Sequence, residues 1–90
     1  MNSYLRLEVL TMEGKVFSSN VQEIQFPSAY QGYYGILPDH TPVLTPLGDG
    51  QIDCMSNGKR TILDISGGFA EIGPDHVTIL ARECKTADAI

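Results

Sequence analysis

The sequence predicts an all-β domain, a sandwich or flattened barrel of short strands. Three observations predict it: apolar side chains alternate with a period of two in several short runs, Gly, Pro and Asn turns separate those runs, and no helical period occurs before residue 82. Leu5, Leu7 and Val9 share one face of the first strand while Tyr4, Arg6 and Glu8 share the other, the pattern of a half-buried strand. After a turn at Glu13-Gly14 a second extended segment runs from Lys15 to Phe26. Val21 and Ile24 fall on opposite parities there, which predicts a bulge between them, and Pro27 is expected to stop the strand.

Ser28 to Gly32 reads as a loop and Tyr33 to Leu37 as a short apolar strand. Pro38, Pro42 and Pro46 then exclude a regular helix. Gly48-Asp49-Gly50 makes a turn and Gln51 to Met55 a strand. Asn57-Gly58 is a hairpin signal, because both residue types accept positive φ, and Lys59 to Ser66 returns from it. Thr61, Leu63 and Ile65 share a face, Gly67-Gly68 is expected to break the run, and Phe69 to Ile72 resumes it. Beyond the Gly73-Pro74-Asp75 turn, Val77, Ile79 and Ala81 point inward. Residues 1–84 form the sandwich in this reading, and 85–90 a polar tail that begins a helix or frays.

Ninety residues fit one domain, with a stability of about 5 to 9 kcal/mol. A net charge of -5 with no Lys/Arg cluster argues against nucleic acid, since counterion release needs several basic groups on one face. No apolar run approaches a bilayer span and the N-terminus lacks signal-peptide regions, so a soluble, cytoplasmic chain is expected. Cys54 and Cys84, without C-x-x-C spacing, read as reduced structural thiols.

Two stretches go beyond a generic β pattern: Gly35-Ile36-Leu37-Pro38-Asp39-His40-Thr41-Pro42-Val43-Leu44-Thr45, and Ser66-Gly67-Gly68-Phe69-Ala70-Glu71-Ile72 followed by Val77-Thr78-Ile79-Leu80-Ala81. Both resemble the epsilon subunit of F-type ATP synthases, in the family's order and at similar separation. The Leu5 to Val9 strand and Glu13 to Ser18 resemble its first hairpin, so the likeness covers nearly the whole chain. The resemblance implies a ten-stranded sandwich that packs on the rotor's gamma subunit and rests on the ring of c subunits. It implies a rotor subunit that couples ion-driven rotation to ATP chemistry elsewhere, peripheral to the cytoplasmic face of the membrane. Family members usually continue into a helical hairpin whose start carries an ATP-binding motif. That hairpin is missing from these ninety residues, so inhibition and ATP sensing are not expected of them.

The family commonly has an acidic residue where this chain has Tyr33, and that carboxylate faces the ring. Asp39, in the neighbouring turn, is a candidate to supply the charge, though a plain turn residue after Pro38 is the favoured reading. The resemblance thus makes Tyr33, Pro38, Asp39, His40 and Thr41 the expected ring contacts. Gly35, Gly67, Gly68, Ile65 and Ile79 are expected to be structural.

Tyr30, Tyr33 and Tyr34 crowd one segment as potential anchors. Because alternate residues of a strand face opposite ways, Tyr33 is read as outward. His40 and His76 are too few for a zinc site and lie on separate segments, so a positional role is expected. G-x-S-x-G, G-x-G-x-x-G and G-x-x-x-x-G-K-[ST] are all absent, and no acid/base pair or nucleophile stands out. No catalytic group, cofactor or metal is expected. The competing reading is a free-standing β-sandwich adaptor or regulator outside the synthase.

Overall fold

The computed structural model describes residues 3–29 and 32–87. They form eight strands: β1 (Leu5–Thr11), β2 (Gly14–Val21), β3 (Glu23–Ser28), β4 (Gly32–Ile36), β5 (Val43–Leu47), β6 (Gly50–Ser56), β7 (Lys59–Ile72) and β8 (His76–Ala87). The sheet order is β2-β1-β8-β7-β5-β3-β4, with β6 pairing both β3 and β7. This single ladder folds back on itself as a flattened sandwich around one core.

Alternation places the core as expected at both ends of the chain. Leu5, Leu7 and Val9 of β1 and Val77 and Ile79 of β8 are fully buried. β1 and β8 pair in parallel, Leu7 beside Val77 and Val9 beside Ile79, so the first and last of these eight strands are neighbours inside the sheet. Ile65, in β7, is 5% exposed and joins the same cluster. No polar or charged residue is buried among the described residues.

The segment from Lys15 to Phe26 is not one bulged strand. It divides at Gln22, whose backbone N–H donates to the Met55 carbonyl at 2.7 Å and whose side-chain Oε1 accepts from Asn57 N at 3.0 Å. There the chain leaves β1 and joins β6, which lets Val21 and Ile24, of opposite parity, both reach the core. The bulge lies instead between Val9 and Leu10, against β2.

Pro27 does not stop β3 but lies inside it, opposite Tyr33. Its missing N–H costs nothing in the ladder because β6 pairs with β3 only as far as Gln25. The Pro27 carbonyl still accepts from Gly48 N at 2.9 Å.

Gly67-Gly68 does not break the second half either: β7 runs unbroken for 14 residues. β8 follows one side of it from Ile62 to Ile72, while on the other side β6 pairs up to Ile65 and β5 from Gly68. At that change of partner the inward parity flips, from Leu63 and Ile65 to Ala70 and Ile72. Gly67 and Gly68 absorb the flip with φ of 61° and 127°. Likewise β8 pairs with β7 as far as Ala87, so the segment expected to fray or turn helical is strand through that residue. The resemblance counts ten strands where the structure has eight, since β7 and β8 each run through both halves of the sandwich. The hairpin at Asn57-Gly58 forms as predicted, with φ of 52° and 80°.

Candidate docking surface

The inward set on each strand fixes what is left outside. With Val77, Ile79 and Ala81 turned to the core, Leu80 must point out of the sheet, and with Ala70 buried so must Phe69. Register lines these residues up. Leu10 of β1 is beside Leu80 of β8, Leu80 beside Phe69 of β7, and Phe69 beside Pro46 of β5. Four neighbouring strands therefore present one apolar row to solvent, with Phe69 53% and Leu80 55% exposed. Leu44 extends it on β5 at 67%, and Met12, at the β1–β2 turn, is fully exposed at its end. Leu10, Met12, Phe69 and Leu80 line an open groove of about 830 Å³, edged by Arg82 and Glu83. Singly exposed apolar residues are ordinary; a contiguous row across a sheet marks a docking surface.

The flanks of the row are polar. On one side Glu8 is bridged to Lys15 at 3.1 Å. His76 stands beside Asp75, 2.9 Å from Nδ1, with Glu71 at 3.9 Å. On the other side Arg82 lies over Gly67 and meets Asp49 at 3.7 Å.

The segment from Tyr33 to Thr41 is built differently. Asp39 has a φ of 68°, and its N–H donates to the Pro74 carbonyl at 2.8 Å, tying this turn to the one before β8. His40 Nδ1 is 2.6 Å from the Thr41 carbonyl, which can only accept, so the proton is on Nδ1. In the neutral ring Nε2 then accepts from the Tyr34 hydroxyl at 3.4 Å. Tyr34 stacks edge-on between Phe26 and His40, at 5.8 and 6.0 Å, and so joins the loop to the core.

Tyr33, 59% exposed, turns the other way and accepts from Gln51 N at 3.2 Å. Tyr34, rather than Tyr33, thus meets the Pro38 to Thr41 loop. Asp39 and Thr41 are exposed, while Pro38 and His40 are half-buried. Tyr30 lies outside the described residues. Gly35 has no positive φ, and a Cβ there would meet only Gln25 Cγ at 3.9 Å, so the backbone does not require glycine at this position.

Little chemistry accompanies these surfaces. No group of three or more His, Cys, Asp or Glu is placed to hold a metal among the described residues. Burial, then the charge of Asp53, pushes the Cys54 thiol up to about 11, and burial also raises Cys84, so both are protonated at neutral pH. The hydrogen bond from Arg60 holds the Asp53 carboxyl below its usual range. No helix is long and apolar enough to cross a membrane among the described residues.

The apolar row escaped the sequence reading, although a signal was present. Leu80 stands between the inward Ile79 and Ala81, and Phe69 beside the inward Ala70, so both strands carry apolar residues on two parities. Only the register shows that the outward set is continuous.

Fold and surface together define a small β-sandwich domain with an exposed apolar face. The chain belongs to the family described as ATP synthase, Delta/Epsilon chain, beta-sandwich domain, which it matches over residues 4–87. It is 43% identical over 86 residues to an ATP synthase epsilon chain of Chloroflexus aggregans, covering 96% of this chain and 61% of that one. It is 41% identical over 90 residues to that of Solibacter usitatus, covering 100% and 66%. It is 36% identical over 86 residues to that of Bacillus subtilis, covering 96% and 64%. The chain thus spans about three fifths of the length of the curated relatives it matches.

Among solved structures, a chain of the Euglena gracilis mitochondrial ATP synthase (OSCP/F1/c-ring) superposes with a TM-score of 0.89 at 22% identity, covering 100% of this chain and 57% of that one. A chain from the Tetrahymena thermophila mitochondrial ATP synthase, described as central stalk and c-ring, gives 0.72 at 11%, covering 90% and 65%. At those identities the likeness concerns the fold.

Proposed function

We propose that this chain is the β-sandwich part of a non-catalytic rotor subunit of an F-type ATP synthase. It docks on the gamma subunit through the apolar row and meets the c ring along Tyr33, Pro38, Asp39, His40 and Thr41. In that role it transmits ion-driven rotation rather than performing chemistry, and sits peripherally at the cytoplasmic face of the membrane.

The observation that carries the gamma contact is the alignment of Leu10, Leu80, Phe69 and Pro46 across four strands. Burying such a row removes apolar surface from water without any rearrangement of the sandwich, and an aromatic at its centre is the usual anchor of an interface. For the ring contact, the support is the exposed margin formed by β4 and its following loop. Asp39 there carries a carboxylate on a turn already fixed to Pro74.

Titration into the cognate gamma subunit, alone and bearing the c ring, tests both contacts. Phe69→Ser weakens gamma binding by about thirtyfold or more, the loss of an anchor worth at least ~2 kcal/mol. Asp39→Asn leaves that binding intact and weakens only the ring-dependent gain. Binding to gamma that ignores Phe69→Ser moves the interface to another face. Absence of any binding leaves an independent β-sandwich adaptor as the better account.

A further inference from the structure

The Asn57-Gly58 turn lies apart from both docking surfaces and holds a nucleophile, an electrophile and a proton donor in one place. Both residues are exposed, with φ of 52° and 80°. Gly58 is the third of the four residues of the Ser56–Lys59 turn, and its N–H has no turn hydrogen bond to another of the described residues. Gly58 is exposed and a Cβ built on it meets nothing within 4 Å, so no side chain or neighbouring strand crowds this residue of the turn. The Asn57 amide is held from a distant part of the chain: the Tyr4 hydroxyl donates to Asn57 Oδ1 at 3.1 Å. A donor on that oxygen withdraws charge from Cγ and stabilises the oxyanion that forms when Cγ is attacked.

We propose that Asn57 is a self-modification site, where the turn converts its own asparagine to aspartate or isoaspartate with the Tyr4 hydroxyl assisting. The Gly58 nitrogen, once its proton has passed to water or a buffer base, bonds to Asn57 Cγ. The adduct expels the side-chain nitrogen as ammonia and closes a five-membered imide. Water opens the ring at either carbonyl. One water is consumed and one ammonia released, with no change of oxidation state.

The isoaspartyl product threads an extra methylene through the main chain of a two-residue loop. That disturbs the Ser56–Lys59 pairing and the Asn57 N–H bond to Gln22 Oε1, which clamps the β2–β3 junction to this hairpin. The aspartyl product keeps the turn and adds one negative charge to a chain already at -5.

Asn20 serves as an internal control, because it precedes the β-branched, fully buried Val21 and both lie within paired strand. The experiment is incubation of the folded chain in mildly alkaline buffer at physiological temperature, followed by peptide mapping for the amide-to-acid mass gain and for isoaspartate. Tyr4→Phe is run in parallel, with circular dichroism to confirm its fold.

Asn57 is expected to convert while Asn20 persists, and Tyr4→Phe to slow conversion by about two- to tenfold, the weight of one hydrogen bond. Survival of Asn57 as long as Asn20 overturns the site. A rate unchanged in Tyr4→Phe and equal to that of the urea-unfolded chain overturns the part assigned to the structure.

Discussion

Replacing Gly68 by alanine tests the corner that joins the two halves of the sandwich. Gly68 has a φ of 127°, a region that costs a residue with a Cβ about 1–3 kcal/mol. The added methyl also lands far inside van der Waals contact distance of the Leu80 carbonyl oxygen and 2.9 Å from Ala81 Cα, both backbone atoms of the paired strand. Neither can swing aside as a side chain does, so overpacking adds a further ~1–3 kcal/mol.

The sum, about 4 kcal/mol, takes roughly two fifths to four fifths of a total near 5–9 kcal/mol. Unfolding entropy near 2.1 cal/mol/K per residue then gives a fall in Tm of about 20 °C. Gly58→Ala is the control, because it also has positive φ, 80°, but nothing within 4 Å, and should cost only about 1 kcal/mol. Gly67→Ala should fall between the two, since its neighbour is the movable Arg82 side chain at 2.9 Å. Urea melts of the three variants give the order directly. A Gly68→Ala protein no less stable than Gly58→Ala would refute the argument that this backbone approach demands glycine.

Further outcomes follow from the polar groups. Asp53 titrates below its usual value when folded, so its bond to Arg60 supports the fold above pH 3.8 and is lost as pH falls through the folded pKa. In urea melts from pH 7 downward, Arg60→Gln should fall below wild type at neutral pH and converge with it in acid. A gap constant with pH would contradict this. In thiol labelling of the native chain at pH 8, the half-exposed Cys84 should react before the buried Cys54, whose thiol is pushed to about 11; the reverse order would argue against the assigned burial. Tyr33→Phe should cost about 0.5–1.5 kcal/mol by leaving Gln51 N unpaired, and should speed hydrogen exchange at that amide; unchanged exchange there would show the bond is not made in solution.

Local pattern and distant pairing divide what the sequence revealed from what it hid. β1, the Asn57-Gly58 hairpin and the inward set Val77, Ile79 and Ala81 were legible because alternation and turn chemistry act over a few residues. The split at Gln22, the tolerance of Pro27 and the continuity through Gly67-Gly68 depend on which strand lies alongside, which neighbouring residues do not encode. The parallel pairing of β1 with β8 joins the two ends of the chain and left no local trace.

The same holds for the surfaces. The motif around Pro38 to Thr41 was visible, and so was the outward direction of Tyr33. The sequence did not show that Tyr34 is the residue meeting His40, or that Leu10, Leu80 and Phe69 form a row; both arise from register.

In the proposed function this chain meets the rotor through the outer face of β1, β8, β7 and β5. Hydrogen exchange of the chain, free and bound to the cognate gamma subunit, tests it most directly. New protection is expected around Leu10–Met12, Leu44–Pro46, Phe69 and Leu80, with β2 and the Asn57-Gly58 turn unchanged. Protection confined to β2 or that turn would contradict the proposed face, and no protection at saturating gamma would contradict the rotor role itself.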